Sequence, residues 1–132
     1  MLDGWGTMAD ILIVEDDPQV RHLLTHILRH VDHTVREADN GRTGIAEFWR
    51  QRPALIICDI LMPDMEGIET IRALRREDAA IPVIAISGGD RVHLKLVAKL
   101  GATATLKKPF LPHALLSLVD GLLAGSHTAT QC

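Results

Sequence analysis

Residues 11–18 read ILIVEDDP, and their pattern indicates how the chain begins to fold. The apolar, mostly β-branched run predicts a buried strand over Ile11–Val14. Acidic residues and then Pro18 interrupt the run, and a proline is tolerated where a helix begins. After Pro18, apolar residues recur at the spacing of one helix face: Val20, Leu23, Leu24, Ile27, Leu28 and Val31. The stretch therefore predicts a strand that leads through an acidic loop into a helix.

The same alternation continues along the chain. Further strands are predicted at Thr34–Arg36, Leu55–Cys58, Val83–Ile86 and Thr105–Lys107. Helical spacing predicts further helices at Gly41–Arg52, Gly67–Arg76, Asp90–Leu100 and Pro112–Leu123. Five strands that alternate with five helices form right-handed βαβ units, so we expect an α/β fold with a mostly parallel sheet. Almost wholly apolar strands indicate that helices cover both faces of that sheet.

Length and composition fit a single globular domain. The chain has 132 residues, of which 47% are hydrophobic and 23% charged, enough to bury a sizeable core. We expect the domain to span residues 9–125, with flexible termini at 1–8 and 126–132. The net charge of −3 disfavours a nucleic-acid-binding surface.

The lengths of the apolar runs and the positions of the cysteines disfavour several classes of protein. The apolar runs are far shorter than a membrane span, and no apolar signal segment stands at the start. Cys58 lies in an apolar run and Cys132 is the last residue, so a disulfide framework is not expected. These features predict a cytoplasmic protein that does not insert into a membrane.

Polar residues follow the predicted strands at the point where each strand ends. Glu15, Asp16 and Asp17 follow the first strand and Asp59 follows the third, while Ser87 and Lys108 follow the last two. The carboxyl ends of parallel strands meet at one edge, so we expect these side chains to form one crevice. Each residue alone has an ordinary explanation, since acids also favour the start of a helix. Together they are much harder to explain without a site.

The chemistry of this set points to phosphoryl transfer. Crowded carboxylates repel one another unless a cation is present, and oxygen ligands suit Mg²⁺. A carboxylate nucleophile, a hard cation, a lysine and a hydroxyl are the parts that in-line phosphoryl transfer needs. Asp59 would be the nucleophile in that reaction.

The motifs at these positions resemble those of response-regulator receiver domains of two-component signalling systems. The resemblance rests on ILIVEDDP at 11–18, DILMPDMEG at 59–67, IPVIAISG at 81–88, Gly-Ala at 101–102 and Lys-Pro-Phe at 108–110. It covers about residues 10–123. It implies a doubly wound, flavodoxin-like sheet in the order 2-1-3-4-5, with a helix after each strand. The chemotaxis-type single-domain receivers are the members that it resembles most.

The resemblance also implies a role for each site residue. Asp59 would be phosphorylated, Ser87 would hydrogen-bond the phosphoryl group, and Lys108 would pair with a phosphoryl oxygen. Mg²⁺ would be held by Asp16, Asp59, the backbone carbonyl of Leu61, Glu15 through a water, and Asp17. The Lys108–Pro109 peptide would be cis. Beyond its own phosphorylation and dephosphorylation, no enzyme activity is implied.

The implied partners are a sensor histidine kinase or phosphotransfer protein and a downstream protein target, with no nucleic acid or membrane. The kinase-facing residues would be Val20, Arg21, Leu24, Pro109, Phe110 and Leu111. The output surface would be formed by the fourth helix, the fifth strand and the fifth helix. Thr105 stands where the family often has an aromatic switch residue, and the chain has no tyrosine. We therefore expect a smaller rearrangement, centred on the loop after Ser87.

Alternative interpretations stay open at this point. An aspartyl-phosphate phosphatase of the haloacid-dehalogenase type would need an acid at Leu61, and a flavodoxin-like cofactor site would need a phosphate loop where Glu15 stands. The chain could also be a receiver fragment of a larger regulator or hybrid kinase. His22, His26 and His30 share one helix face at metal-ligand spacing, although a solvated face explains them better.

Overall fold

The sheet has the predicted architecture. The structure is a computed structural model that describes residues 8–62, 66–88 and 98–129. Its strands are β1 (Asp10–Val14), β2 (Thr34–Ala38), β3 (Leu55–Asp59), β4 (Val83–Ser87) and β5 (Ala104–Lys107). All neighbouring strands pair in parallel, in the order β2-β1-β3-β4-β5. The predicted doubly wound sheet and its strand order are confirmed.

Helices pack on both faces of this sheet. They are α1 (Pro18–His30), α2 (Gly41–Arg50), α3 (Glu66–Glu77) and a C-terminal helix (Pro112–Ala129). The C-terminal helix continues past the predicted domain boundary at residue 125. Of the predicted helix over 90–100, residues 98–100 are helical and residues 90–97 lie outside the described residues. Among the described residues, no helix combines the length and the apolar character that a membrane span requires.

Alternation along the central strands divides the core into two layers. In β1, Leu12 and Val14 pack on one face with residues of α2 and α3. Ile11 and Ile13 pack on the other face with residues of α1 and the C-terminal helix. Successive side chains of a strand point to opposite faces, and both faces are covered, so every residue of this run is buried.

The first helix differs from its predicted apolar stripe. Asp17 caps α1, because its side chain accepts a hydrogen bond from the backbone nitrogen of Gln19. Leu24, Ile27 and Leu28 are buried, but Leu23 is 48% exposed and Val31 39% exposed. The helix rests on the sheet along one narrow line, so the edges of the stripe remain at the surface. The spacing located the helix correctly, but it did not distinguish the buried positions of the stripe from the exposed ones.

Gly67 lets α3 begin directly against the end of β3. A Cβ atom at this position would lie 2.1 Å from the carbonyl oxygen of Asp59 and 2.6 Å from the Cα atom of Ile60. Both atoms belong to the backbone, which cannot rotate away as a side chain can. Only glycine fits this junction without a shift of the helix or of the strand that carries Asp59.

We expect Gly67→Ala to lower the free energy of unfolding by about 2 kcal/mol or more, as overpacking does. Gly121→Ala is the matched control, because Gly121 lies in the C-terminal helix and a Cβ there meets nothing within 4 Å. That control should be neutral or stabilising by up to about 1 kcal/mol. Urea denaturation of both variants measures the difference. Equal stability of the two variants would contradict the close approach.

Candidate phosphoryl-transfer site

Sheet register places two carboxylates side by side at the carboxyl end of the sheet. β1 and β3 are neighbours, and Val14 pairs with Cys58. The next residue on each strand is an acid, Glu15 beside β1 and Asp59 at the end of β3. Both are almost fully buried, at 1% and 2% exposure. One carboxylate oxygen of each and one of the exposed Asp16 lie within 4.8 Å of one another.

Both oxygens of Asp59 are held by hydrogen bonds. The Lys108 ammonium donates to Oδ2 across 3.0 Å, and the backbone nitrogen of Leu61 donates to Oδ1 across 2.8 Å. Lys108 reaches the site from the loop after β5, and the Lys108–Pro109 peptide is cis, as the resemblance implied. The contacts fix the carboxylate of Asp59 at the mouth of the crevice.

Glu15 is a buried acid with incomplete hydrogen bonding. Its Oε2 accepts a hydrogen bond from the backbone nitrogen of Asp17 at 3.1 Å, while its buried Oε1 accepts none. The nearest positive group to Oε1 is the Lys108 ammonium, at 3.4 Å. Burial is the main cause that raises the pKa of Glu15 to about 8, and the nearby Asp59 carboxylate adds to the effect. A buried carboxylate oxygen with no hydrogen bond is well suited to contact a cation or its bound water.

Lys108 balances the negative charge of the cluster. Its partial burial lowers the pKa of its ammonium, but hydrogen bonding with Asp59 and the charges of Asp59 and Glu15 outweigh that effect and raise it. The ammonium therefore stays charged at neutral pH. It neutralises only part of the charge of the neighbouring acids.

The remaining sequence-predicted residues lie on the adjoining strands. Ser87 is fully buried at the end of β4, and its carbonyl oxygen accepts a hydrogen bond from the Lys108 backbone nitrogen at 2.7 Å. Thr105 is half-buried on β5 opposite Ala85. The loop that follows Gly88 lies outside the described residues, so the expected movement there stays a prediction.

Leu61 and Asp17 differ from the other predicted metal ligands. The Leu61 side chain is 48% exposed, and the part of this residue shown to contact Asp59 is its backbone nitrogen. Sequence reasoning assigned only the Leu61 carbonyl and missed this hydrogen bond. Asp17 is engaged as the cap of α1 and lies outside the close set of Glu15, Asp16 and Asp59.

The prediction that Leu24 faces a kinase is wrong. Leu24 of α1 is 0% exposed and packs in the core with residues of the sheet and the C-terminal helix, so it cannot contact a partner directly. Val20, Arg21 and Phe110 are half-buried, whereas Pro109 and Leu111 are exposed. His22, His26 and His30 are exposed, as expected of a solvated helix face. Cys58 is a buried core thiol, as expected of a residue in an apolar run.

Known proteins share both this sequence pattern and this fold. A sequence model of the response regulator receiver domain matches residues 11–120. Protein PilH of Pseudomonas aeruginosa is 37% identical, over 89% of this chain and 100% of PilH. A CheY-like receiver domain protein of Methanospirillum hungatei superposes with a TM-score of 0.85 at 26% identity, covering 93% of this chain and 99% of that one. Chemotaxis protein CheY4 of Vibrio cholerae does so with a TM-score of 0.80 at 32% identity, over 86% and 97%.

Other relatives are longer than this chain. The probable transcriptional regulatory protein TcrX of Mycobacterium tuberculosis is 29% identical over 80% of this chain, but the match covers only 45% of TcrX. The similarity to such proteins therefore concerns the shared domain.

The raised pKa of Glu15 predicts a pH dependence of stability in metal-free buffer. The folded state holds the Glu15 proton more tightly than the unfolded chain, so the free energy of unfolding should fall as pH rises from about 5 through 8. The loss should be on the order of a few kcal/mol. Denaturation in the presence of a chelator, repeated at each pH, measures it.

Glu15→Gln should remove this fall, because the amide does not titrate. The difference between wild type and variant also cancels contributions from other groups. His33 is one of these, because its burial lowers its pKa and so affects stability in the opposite direction at acidic pH. Parallel pH profiles for the two proteins would contradict the assignment of the proton to Glu15.

Proposed function

The chain belongs to the response regulator receiver domain family of two-component signalling, and on that premise we propose that Asp59 accepts a phosphoryl group from a histidine kinase or a phosphotransfer protein. Receiver domains interact with histidine kinases and downstream effectors, and as a family they are generally signalling domains rather than enzymes. The observation that carries the proposal is the position of Asp59: a carboxylate fixed at the sheet edge by Lys108 and Leu61, beside two further acids.

The geometry supports Asp59 as the nucleophile. The hydrogen bond from Leu61 and the ion pair with Lys108 orient its carboxylate before a donor arrives, which lowers the cost of reaching the reactive arrangement. One carboxylate oxygen would attack phosphorus while the bond from phosphorus to the donor imidazole breaks. The Lys108 ammonium would then pair with a phosphoryl oxygen, and the Ser87 hydroxyl would donate to another.

The acidic residues fit the magnesium ion that receiver domains generally bind. The buried Oε1 of Glu15 without a hydrogen bond and the clustering of Glu15, Asp16 and Asp59 are the features that suit a hard divalent cation. We assign direct contact to Asp16, Asp59 and the Leu61 carbonyl, and contact through a water to Glu15. When bound, Mg²⁺ would neutralise negative charge on the phosphoryl oxygens. The capping role of Asp17 argues against its use as a ligand.

Phosphorylation would change the charge at one buried point and so bias the neighbouring strands. A phosphoryl group adds about −1.5 to −2 charges, and Ser87 and Lys108 are the polar groups able to follow it. Their backbones are already joined by the hydrogen bond from Lys108 to the Ser87 carbonyl, so movement of one affects the other. With Thr105 in place of an aromatic residue, the output surface of the fourth helix, β5 and the C-terminal helix would change without inward rotation of a ring.

No observation favours the alternative functions. The phosphatase chemistry would need an acid at position 61, where the structure has an exposed leucine. A cofactor phosphate would meet the clustered acids Glu15, Asp16 and Asp59, which repel an anion. The expected cytoplasmic location stays a prediction.

Asp59→Asn should abolish phosphorylation by a small phosphodonor, because an amide cannot form the acyl phosphate. The measurement is incorporation of acid-labile, hydroxylamine-sensitive phosphate in the presence of Mg²⁺. Asp64→Asn, the next acid along the chain, serves as the control and should label like wild type. Full labelling of Asp59→Asn would show that another residue is the acceptor.

Mg²⁺ should stabilise the protein by mass action, by about 2.7 kcal/mol when its concentration is a hundred times the Kd. Asp16→Ala should remove most of this gain, since it deletes a direct ligand. Asp120→Ala removes an equally exposed acid from the C-terminal helix and should leave the gain intact. Thermal unfolding with and without Mg²⁺ is the measurement, and an unchanged wild-type Tm would rule out the proposed site.

The exposed end of the proposed kinase-facing surface can be tested at Leu111, which is 63% exposed. Leu111→Glu should slow phosphotransfer from a cognate kinase about tenfold, because it places a charge in an apolar contact, but should not affect labelling by a small donor. Trp49→Glu, an exposed apolar residue on α2, is the control and should not affect either reaction. Equal loss with both donors would indicate damage to the fold instead.

A further inference from the structure

The arginines of this protein fall into two groups. Most of the described ones donate from the guanidinium to a carboxylate or a carbonyl oxygen: Arg21, Arg29, Arg36, Arg50, Arg52 and Arg75. The remaining described arginines are Arg42, Arg72 and Arg76, and no hydrogen bond or ion pair holds their guanidinium groups within the described part of the chain. All three are exposed.

These three arginines line the same groove. It lies between α2 and α3 and has a volume of about 670 Å³. Arg42 projects from the first turn of α2, and Arg72 and Arg76 stand one turn apart on α3. Ile45 and Ala73 contribute apolar surface to the groove, and Glu69 is the one acidic residue among its described lining residues. The groove therefore combines an apolar part with an excess of positive charge.

Helix stability does not explain this arrangement. The start of a helix carries a partial positive charge and favours acids, yet the first turn of α2 contains Arg42 and no acidic residue. Like charges at positions i and i+4, as in Arg72 and Arg76, repel each other. Arg76 alone gains from its place in the last turn of α3. The α2 dipole adds to the positive potential that the guanidinium groups create.

We propose that the groove between α2 and α3 binds an acidic segment of a partner protein. Carboxylates of the segment would pair with Arg42, Arg72 and Arg76, whose planar guanidinium groups suit bidentate contact with a carboxylate. An apolar side chain of the same segment would rest on Ile45 and Ala73. Glu69 and the net charge of −3 disfavour a continuous phosphate backbone as the occupant. The groove residues lie outside the phosphoryl-transfer site, so this proposal does not depend on phosphorylation of Asp59.

The test is fluorescence anisotropy with a short fluorescein-labelled peptide of repeating glutamate-glutamate-leucine units. The wild-type chain should bind it, and the same peptide with glutamine in place of glutamate should not bind. The double variant R72Q/R76Q should bind at least about tenfold more weakly, because each removed charge pair lowers affinity. The charge-matched double variant R50Q/R52Q, at exposed positions outside the groove, should bind within about twofold of wild type.

Folding and function of the variants are checked independently. Arg72 and Arg76 have no partner in the described residues, so R72Q/R76Q should keep the wild-type Tm and accept phosphate from a small donor. Failure of that labelling in wild type would refute the proposed function and leave the peptide result intact.

Three results would overturn the groove proposal. They are no binding of the acidic peptide to wild type, equal weakening by the two double variants, and displacement of the peptide by tripolyphosphate at lower concentration than by unlabelled peptide. The first excludes the acidic segment as occupant. The second would show non-specific attraction, and the third would identify a phosphate site.

Discussion

The ion pair between Lys108 and Asp59 compensates part of the cost of burying the acids of the crevice. Glu15 and Asp59 are both almost completely removed from water, where carboxylates are costly unless a positive charge compensates them. The Lys108 ammonium lies 3.0 Å from Oδ2 of Asp59 and 3.4 Å from Oε1 of Glu15, so it is the positive group that both acids share. One charge cannot neutralise two. Burial is the main cause that raises the pKa of Glu15, and the charge of Asp59 adds to it. The cluster of acids suits the crevice to a divalent cation.

Much of this site could be predicted because it depends on sequence order and on one topological rule. An acid that directly follows a buried strand must lie at the carboxyl edge of the sheet, and the pairing of Val14 with Cys58 then brings Glu15 and Asp59 together. The strand order itself came from the resemblance to receiver domains, because alternating strands and helices do not specify it. The burial of Glu15 and the hydrogen bond from Leu61 depend on the path of loops, which no spacing in the sequence records.

The helices show where prediction from periodicity ends. The spacing after Pro18 correctly located α1, but it could not separate Leu24, which is buried, from Leu23, which is not. That difference depends on the angle at which α1 meets the sheet and the C-terminal helix. The pairing of arginines is beyond sequence reasoning for a similar reason. Arg75 and Arg76 are adjacent in the chain, yet within the described residues only the Arg75 guanidinium donates to carbonyl oxygens, those of Gly101 at 2.6 Å and Asp78 at 3.1 Å.

The contact at Gly67 gives α3 a mechanical link to the strand that carries Asp59. Backbone lies against backbone there, so no flexible side chain is available to absorb a displacement of β3, and such a displacement would be passed on to α3. A helix of 12 residues is about 18 Å long, so a tilt of about 3° at Gly67 moves its far end by about 1 Å. Arg76 lies near that far end, while Arg42 sits on a different helix. A movement of the strand that carries Asp59 would therefore change the distance between Arg42 and Arg76 across the groove.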